Sequence, residues 1–137
     1  MKITVETKVK ATPEQVWRAW TTPEDIVKWN AASDDWHTTK SSVDLRVGGA
    51  FSSRMEAKDG SVGFDFAGEY TMVEKPTRLE CAFGDRTMLV EFIAEDGGVS
   101  VRETFDAETE NPADMQRQGW QAILNSFARH VEAKHPR

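Results

Sequence analysis

Residues 111–134, NPADMQRQGWQAILNSFARHVEAK, decide the fold. Asn111 can cap a helix, and Pro112 suits its first position, where a missing N–H costs nothing. Met115, Gly119, Trp120, Ile123, Leu124, Phe127 and Val131 follow at helical spacing, which predicts one long helix with a single apolar stripe. Such a helix needs a broad apolar surface to lie on. Arg129, His130, Lys134 and His135 gather at its far end, where cations suit the negative pole of the helix dipole. The two histidines are five positions apart, so they do not share a face as helical metal ligands do.

The broad surface is written into residues 41–107, which read as strands punctuated by KDG (58–60), EKPT (74–77), GD (84–85) and EDGG (95–98). Each carries the Gly, Pro or Asp of a tight reversal, and their regular spacing predicts an antiparallel meander. Alternation puts Phe51, Ser53 and Met55 inward, then Phe64, Phe66, Gly68, Tyr70 and Met72. Leu79, Cys81 and Phe83 follow, then Val90 and Phe92, then Val99, Val101, Glu103 and Phe105. Gly48, Gly49, Gly63 and Gly68 sit at strand starts or inside strands, where glycine marks bulges and curvature. A strongly bent sheet is expected.

Ahead of the meander, MKITVETKVK alternates with Ile3, Val5, Thr7 and Val9 on one side and reads as a first strand, not a secretory signal. In ATPEQVWRAW, Thr12, Pro13 and Gln15 form a capping-box pattern. TTPEDIVKW repeats it with Thr22, Pro23 and Asp25. Two short helices follow, with Val16, Trp17, Trp20, Ile26 and Val27 as inner faces.

The 137-residue chain is expected to form one domain, 1–137. Its charge of −6, from 23 acidic and 17 basic residues without a basic cluster, argues against nucleic acid as a partner. No apolar run reaches the roughly 20 residues of a membrane span. A single cysteine excludes an internal disulfide framework and fits a reducing cytoplasm.

Strand, two short helices, antiparallel sheet and long closing helix make an α+β order in which the sheet must wrap the helix. A bent sheet cannot follow a straight helix along its whole length. A hollow between them is therefore expected, either filled or lined by inward aromatics and methionines, and such apolar pockets with a few polar groups are the usual form of small-molecule sites.

The segments VWRAWTTPEDIVKW, DLRVGGAFSSRMEAKDGS, GEYTMVEKPTRLE and MQRQGWQAILNSFARHVE resemble the activator of heat-shock protein 90 ATPase homologue family, within the START-like (SRPBCC, polyketide-cyclase-like) superfamily of helix-grip folds. The most specific pieces are the paired glycines ahead of Phe51 and Met55, the KDG turn with its later Gly-Glu-Tyr, and Gly119-Trp120. The resemblance implies a curved antiparallel sheet wrapped around a long C-terminal helix. It also implies an internal cavity for apolar or aromatic molecules.

WNAASDDWHT, residues 29–38, connects the short helices to the sheet near the expected cavity mouth. Trp29 and Trp36 would form either an aromatic lid or a core seal. His37, beside Asp34 and Asp35, is a candidate general base or orienting group; the alternative leaves these side chains in solvent. Glu103, if inward, is a candidate acid–base or anchoring carboxyl; a bulge or an Arg46 partner would make it structural. Tyr70 and Ser53 could offer hydroxyls to a ligand or to the backbone. Phe51, Met55, Phe66, Trp120 and Leu124 complete the expected ligand-binding wall. Cys81 reads as an inert buried thiol, and no metal or cofactor motif appears.

Three functions compete. The first is binding of a lipid- or polyketide-like molecule in the cavity. The second is a cyclase- or hydrolase-type enzyme using His37 and Glu103 as acid and base. The third is a module with a chaperone-type protein partner.

Overall fold

The structure, a computed structural model, describes residues 1–135. Its elements run β1 (Lys2–Val9), α1 (Pro13–Thr21), α2 (Pro23–Trp29), β2 (Trp36–Val43), β3 (Ala50–Ala57), β4 (Gly63–Glu74), β5 (Arg78–Phe83), β6 (Arg86–Glu95), β7 (Gly98–Asp106) and α3 (Ala113–Lys134). All seven strands form one antiparallel sheet in the order β1-β7-β6-β5-β4-β3-β2. This is the α+β helix-grip architecture. The order follows from the sequence: hairpins join each pair from β2 to β7, and only β1 must travel, through α1 and α2, to the far edge. None of the described helices is long and apolar enough to cross a membrane.

The turns form where their residues allow them. Gly60, Gly84 and Gly97 take φ of 78°, 67° and 82°, which a side-chain-bearing residue rarely adopts. Gly68, inside β4, has a different reason. A Cβ there would collide with the Ala82 carbonyl of β5 and lie 3.0 Å from the Phe51 ring, so β4 and β5 approach only because nothing is present. Just beyond it, the β4–β5 register shifts between Tyr70 and Met72. The extra residue reverses the alternation, so Val73, opposite Leu79, packs on the core and Met72 does not. Simple alternation had assigned Met72 inward. Alternation also placed Phe64 inward, and it lines the cavity opposite Met55, though at the start of β4 its ring is 48% exposed.

Both short helices start as their residues dictate, but only one caps itself. The Thr12 hydroxyl accepts from the Gln15 amide and the Gln15 side chain accepts from the Thr12 amide, a complete capping box for α1. Thr22 makes no side-chain cap for α2. Its Asp25 is instead buried and faces α3, so α2 buries Asp25, Ile26 and Trp29, with Val27 only half-buried. β2 begins at Trp36, earlier than expected, because Trp36, His37 and Thr38 pair with Ala57, Glu56 and Met55. Helix α3 begins after Pro112, not Asn111. Gln116 explains the delay: its side chain accepts from the Glu108 amide and donates to the Glu108 and Asn111 carbonyls, fixing the chain that enters the helix.

The two halves of α3 are held differently. Leu124, Phe127 and Val131 are fully buried, each side chain contributing roughly 1.5–3 kcal/mol by leaving water. Phe127 meets Trp20 and Trp29 edge-on at 5.0 and 4.9 Å. Below this cluster, the Asp25 Oδ1 accepts from Lys134 Nζ at 2.9 Å and lies 2.8 Å from His130 Nε2. These two side chains were read as partners of the helix dipole; their closer partner is a carboxylate from α2. The opposite half of α3 carries exposed Met115 and partly buried Trp120.

Along one side, α3 side chains reach the backbone of β1. Gln121 Nε2 donates to the Glu6 carbonyl at 2.9 Å, Arg117 Nη1 to the Thr4 carbonyl at 2.9 Å, and the Lys10 amide donates to the Glu132 carboxylate at 2.9 Å. The helix packs chiefly on β1, whereas α2 covers β2. No comparable approach joins α3 to β3, β4 or β5. The hollow lies in that gap.

Burial alone would raise the Asp25 pKa, but hydrogen bonds from Lys134 and His130 outweigh it and hold the carboxyl below its ordinary value. A depressed carboxyl stabilises the fold above its unfolded pKa, and the stabilisation is lost as pH falls through the folded value. Asp25→Asn should therefore cost about 2 kcal/mol at neutral pH and lower Tm by roughly 5 °C. Its penalty should shrink as pH falls below about 4, in thermal melts across that range. Gly68→Ala should cost about 2 kcal/mol by forcing β5 or Phe51 to shift, read as a lower urea midpoint.

Candidate functional site

Between the concave face of the sheet and the first half of α3 lies a cavity of about 340 Å³. That is within the roughly 300–1,000 Å³ of small-molecule sites. Strand register explains its wall. Ser53 of β3 stands opposite Ser41 of β2 and Phe66 of β4, and Tyr70 opposite Cys81 of β5. Cys81 in turn faces Met88 of β6 and Met88 faces Phe105 of β7, so a second row, offset along β4 from the first, runs on to β7. Trp120 closes the row from above, stacked on Phe105 with ring centres 3.7 Å apart and planes at 9°. Phe66 meets Trp120 edge-on at 6.2 Å, and Phe51 lies between Phe66 and Tyr70 at 5.6 and 5.2 Å.

The cavity therefore joins a cluster of aromatic and aliphatic side chains to a set of polar ones. Its lining passes from deeply buried Leu79, Cys81 and Glu103 to exposed Phe64 and Asn111, which mark a deep end and a rim. Ser53 Oγ and Ser41 Oγ lie 3.3 Å apart and satisfy each other. Burial raises the Tyr70 hydroxyl pKa above its ordinary value and pushes the Cys81 thiol up to about 12, helped by nearby Glu103. A thiol so protonated is a poor nucleophile.

Glu103 is the chemically unusual group. β7 pairs without irregularity on both sides, Val5 of β1 and Val90 of β6 standing opposite Glu103, so no bulge turns it outward. Arg46 bonds Asp44 at 2.9 and 3.0 Å and is not its partner. The residue is 4% exposed, and burial pushes its carboxyl pKa up to about 8. No side chain among the described residues forms a hydrogen bond or ion pair with it. No buried side-chain polar atom among the described residues is sealed off without a partner, so the Glu103 oxygens face the cavity space.

Of the residues expected to form the wall, Trp29, Phe51, Ser53, Met55, Phe66, Tyr70, Glu103 and Trp120 line this cavity. Leu124 is fully buried in the packed core beside it. Trp36 and His37 lie elsewhere. They line a second, mostly polar hollow of about 200 Å³ with Lys28, Lys58, Asp34 and Arg129. The physical reason is the early start of β2, which pairs His37 with Glu56 and commits Trp36 to the sheet edge near Phe64. His37 and Glu103 thus do not share a cavity, and they are not placed to act as an acid–base pair. Trp29 behaves as a seal: its ring is 4% exposed and its Nε1 donates to the Ala19 carbonyl at 2.9 Å. No group of three or more His, Cys, Asp or Glu among the described residues is arranged to hold a metal ion.

Sequence reasoning missed Arg86, Glu108, Asn111 and Gln116, which supply part of the polar lining. Arg86 donates from Nε to the Asp106 carbonyl at 2.9 Å and lies over the Phe83 ring at 4.8 Å. Its position next to the GD turn was the available signal, because a hairpin end places it opposite the loop leaving β7.

The family model for activator of Hsp90 ATPase homolog 1-like proteins matches residues 10–132. Among solved structures, an AHSA1-like protein from Aeromonas hydrophila is 54% identical, with a TM-score of 0.91 over 98% of this chain and 94% of that one. A protein from Cytophaga hutchinsonii is 42% identical, with a TM-score of 0.83 over 99% and 96%. One from Nitrosomonas europaea, at 21% identity and a TM-score of 0.85 over 98% and 96%, shares the fold. No curated protein matches. With nearly its whole length matched, the chain belongs to the activator of Hsp90 ATPase homolog 1-like family.

Proposed function

We propose that this protein binds a small apolar or aromatic molecule in the cavity between the sheet and α3. The observation that carries the reading is a space of about 340 Å³, lined by aromatic, aliphatic and polar side chains, with a buried carboxyl facing into it. An interior built only for stability would fill such a space, because an apolar void sacrifices packing contacts along its whole lining. Trp29, Phe51, Met55, Phe66 and Trp120 supply the apolar contact, and Ser53, Tyr70 and Glu103 the polar anchors. Binding without turnover is favoured over acid–base catalysis because His37, the expected partner of Glu103, lines the other hollow, and the neighbouring Cys81 and Tyr70 are both pushed upward. A chaperone-type partner would use the outer surface and leave the cavity unexplained. The single buried Cys81 is consistent with the cytoplasm as its compartment.

Freshly purified protein in native mass spectrometry should retain a small molecule or accept one from a panel of lipids, flavonoids and polyketide-like compounds. A ligand at a hundred times its Kd should stabilise the fold by about 2.7 kcal/mol, visible as a raised Tm. Ile123→Trp, which adds bulk to the α3 side of the wall, should abolish that shift while leaving a cooperative melt. A panel that moves Tm in neither protein would count against the cavity as a binding site.

A further inference from the structure

The described residues bury two carboxyl groups and treat them oppositely. Asp25 is 4% exposed and meets two basic side chains, Lys134 at 2.9 Å and His130 at 2.8 Å. Glu103 is equally buried and meets none among the described residues. Desolvating an ionised carboxylate without a partner costs several kcal/mol, so a purely structural position would favour Gln, Leu or Val here. The neighbours on the sheet, Val5 and Val90, show that a valine fits the row.

The other ionisable groups of the cavity do not supply the missing cation. Cys81 of β5 and Tyr70 of β4 are neutral when protonated. Arg86 of β6 is four residues from Val90, the residue opposite Glu103, which is about 13 Å along the strand. Its guanidinium is engaged by the Asp106 carbonyl and the Phe83 ring. Glu108, beyond β7, carries the same sign as Glu103. From α3 the cavity receives Gln116, Trp120 and Ile123, and from β2 and β3 only hydroxyl, thioether and hydrocarbon groups. The walls, by contrast, include the rings of Phe51, Phe66, Tyr70 and Trp120, and aromatic rings attract a cation that has left water.

Resting on the proposed binding role, we infer that the guest is an apolar or aromatic amine whose ammonium group seats against the Glu103 carboxylate while its hydrocarbon body lies among the rings of Phe51, Tyr70 and Trp120. The guest thereby supplies the counter-ion that the chain provides for Asp25 and omits for Glu103. Without a guest the carboxyl is held protonated, with a pKa pushed to about 8. Seating an ammonium must then expel that proton. Affinity should therefore rise with pH, by up to tenfold per unit, until Glu103 is ionised in the free protein.

The test uses the full chain and three probes of one shape: naphthylmethylamine, naphthylmethanol and methylnaphthalene. Titration calorimetry should show the amine binding at least tenfold more tightly than the other two near pH 8, and losing most of that margin near pH 6. Glu103→Gln should remove the preference for the amine while preserving affinity for methylnaphthalene. In the wild type, the Glu103 side-chain carboxyl signal, followed by carbon NMR, should titrate at lower pH once the amine is bound. This second readout does not depend on the variant folding. Equal affinity for all three probes, or an amine affinity that does not change with pH, would overturn the assignment and leave the apolar cavity standing. Failure of every probe to bind would remove the binding role itself.

Discussion

A straight helix and a coiled sheet can stay in contact over only part of their shared length, and here the contact is spent on one end. The second half of α3 is fixed by fully buried Leu124, Phe127 and Val131, by the Trp20–Trp29–Phe127 cluster, and by the Asp25 carboxylate. Its first half is held by stacking of Trp120 on Phe105 and by the Gln116 hydrogen bonds. Between these anchors the sheet bends away. The cavity is the geometric remainder of that division, and its position follows from which half of the helix carries the large aliphatic residues.

Curvature in the sheet has local causes. Gly68 lets β5 and Phe51 approach β4 where a Cβ would collide, and the extra residue near Thr71 switches which side chains face inward. Together they give β4 two surfaces: Phe66 and Tyr70 look into the cavity from its first part, and Val73 seals the core from its last. A regular strand would have sent Met72 inward.

Much of this was legible before the structure. The apolar stripe of α3, the turn residues of the meander and the Thr12 capping box are short-range signals whose physics is complete within a few residues, so element order and fold class followed from them. The site was legible only in part. Strand alternation was enough to aim Glu103, Ser53, Phe51 and Tyr70 inward, because each precedes or avoids any break in its strand's register. It misdirected Met72, where a bulge breaks the period. His37 and Trp36 were grouped with the cavity by composition and loop position, but β-pairing with Glu56 and Ala57 carried them to another hollow. The Asp25 pairing with His130 and Lys134 spans more than a hundred residues, and no local pattern encodes it. Arg86 and Gln116 were missed for the same reason: their roles depend on which loop lies across from them.

The side chains that α3 lends to β1 bear on how copies of this chain meet one another. β1 is an outer strand of the sheet, and a bare outer strand offers its amides and carbonyls to any extended segment that drifts past. Gln121, Arg117 and Glu132 occupy the groups of Glu6, Thr4 and Lys10 that such a segment would need. The opposite margin, β2, lies under α2. The β1 rim of this curled sheet is thus partly occupied from within, which leaves an intruding strand less backbone to recruit there.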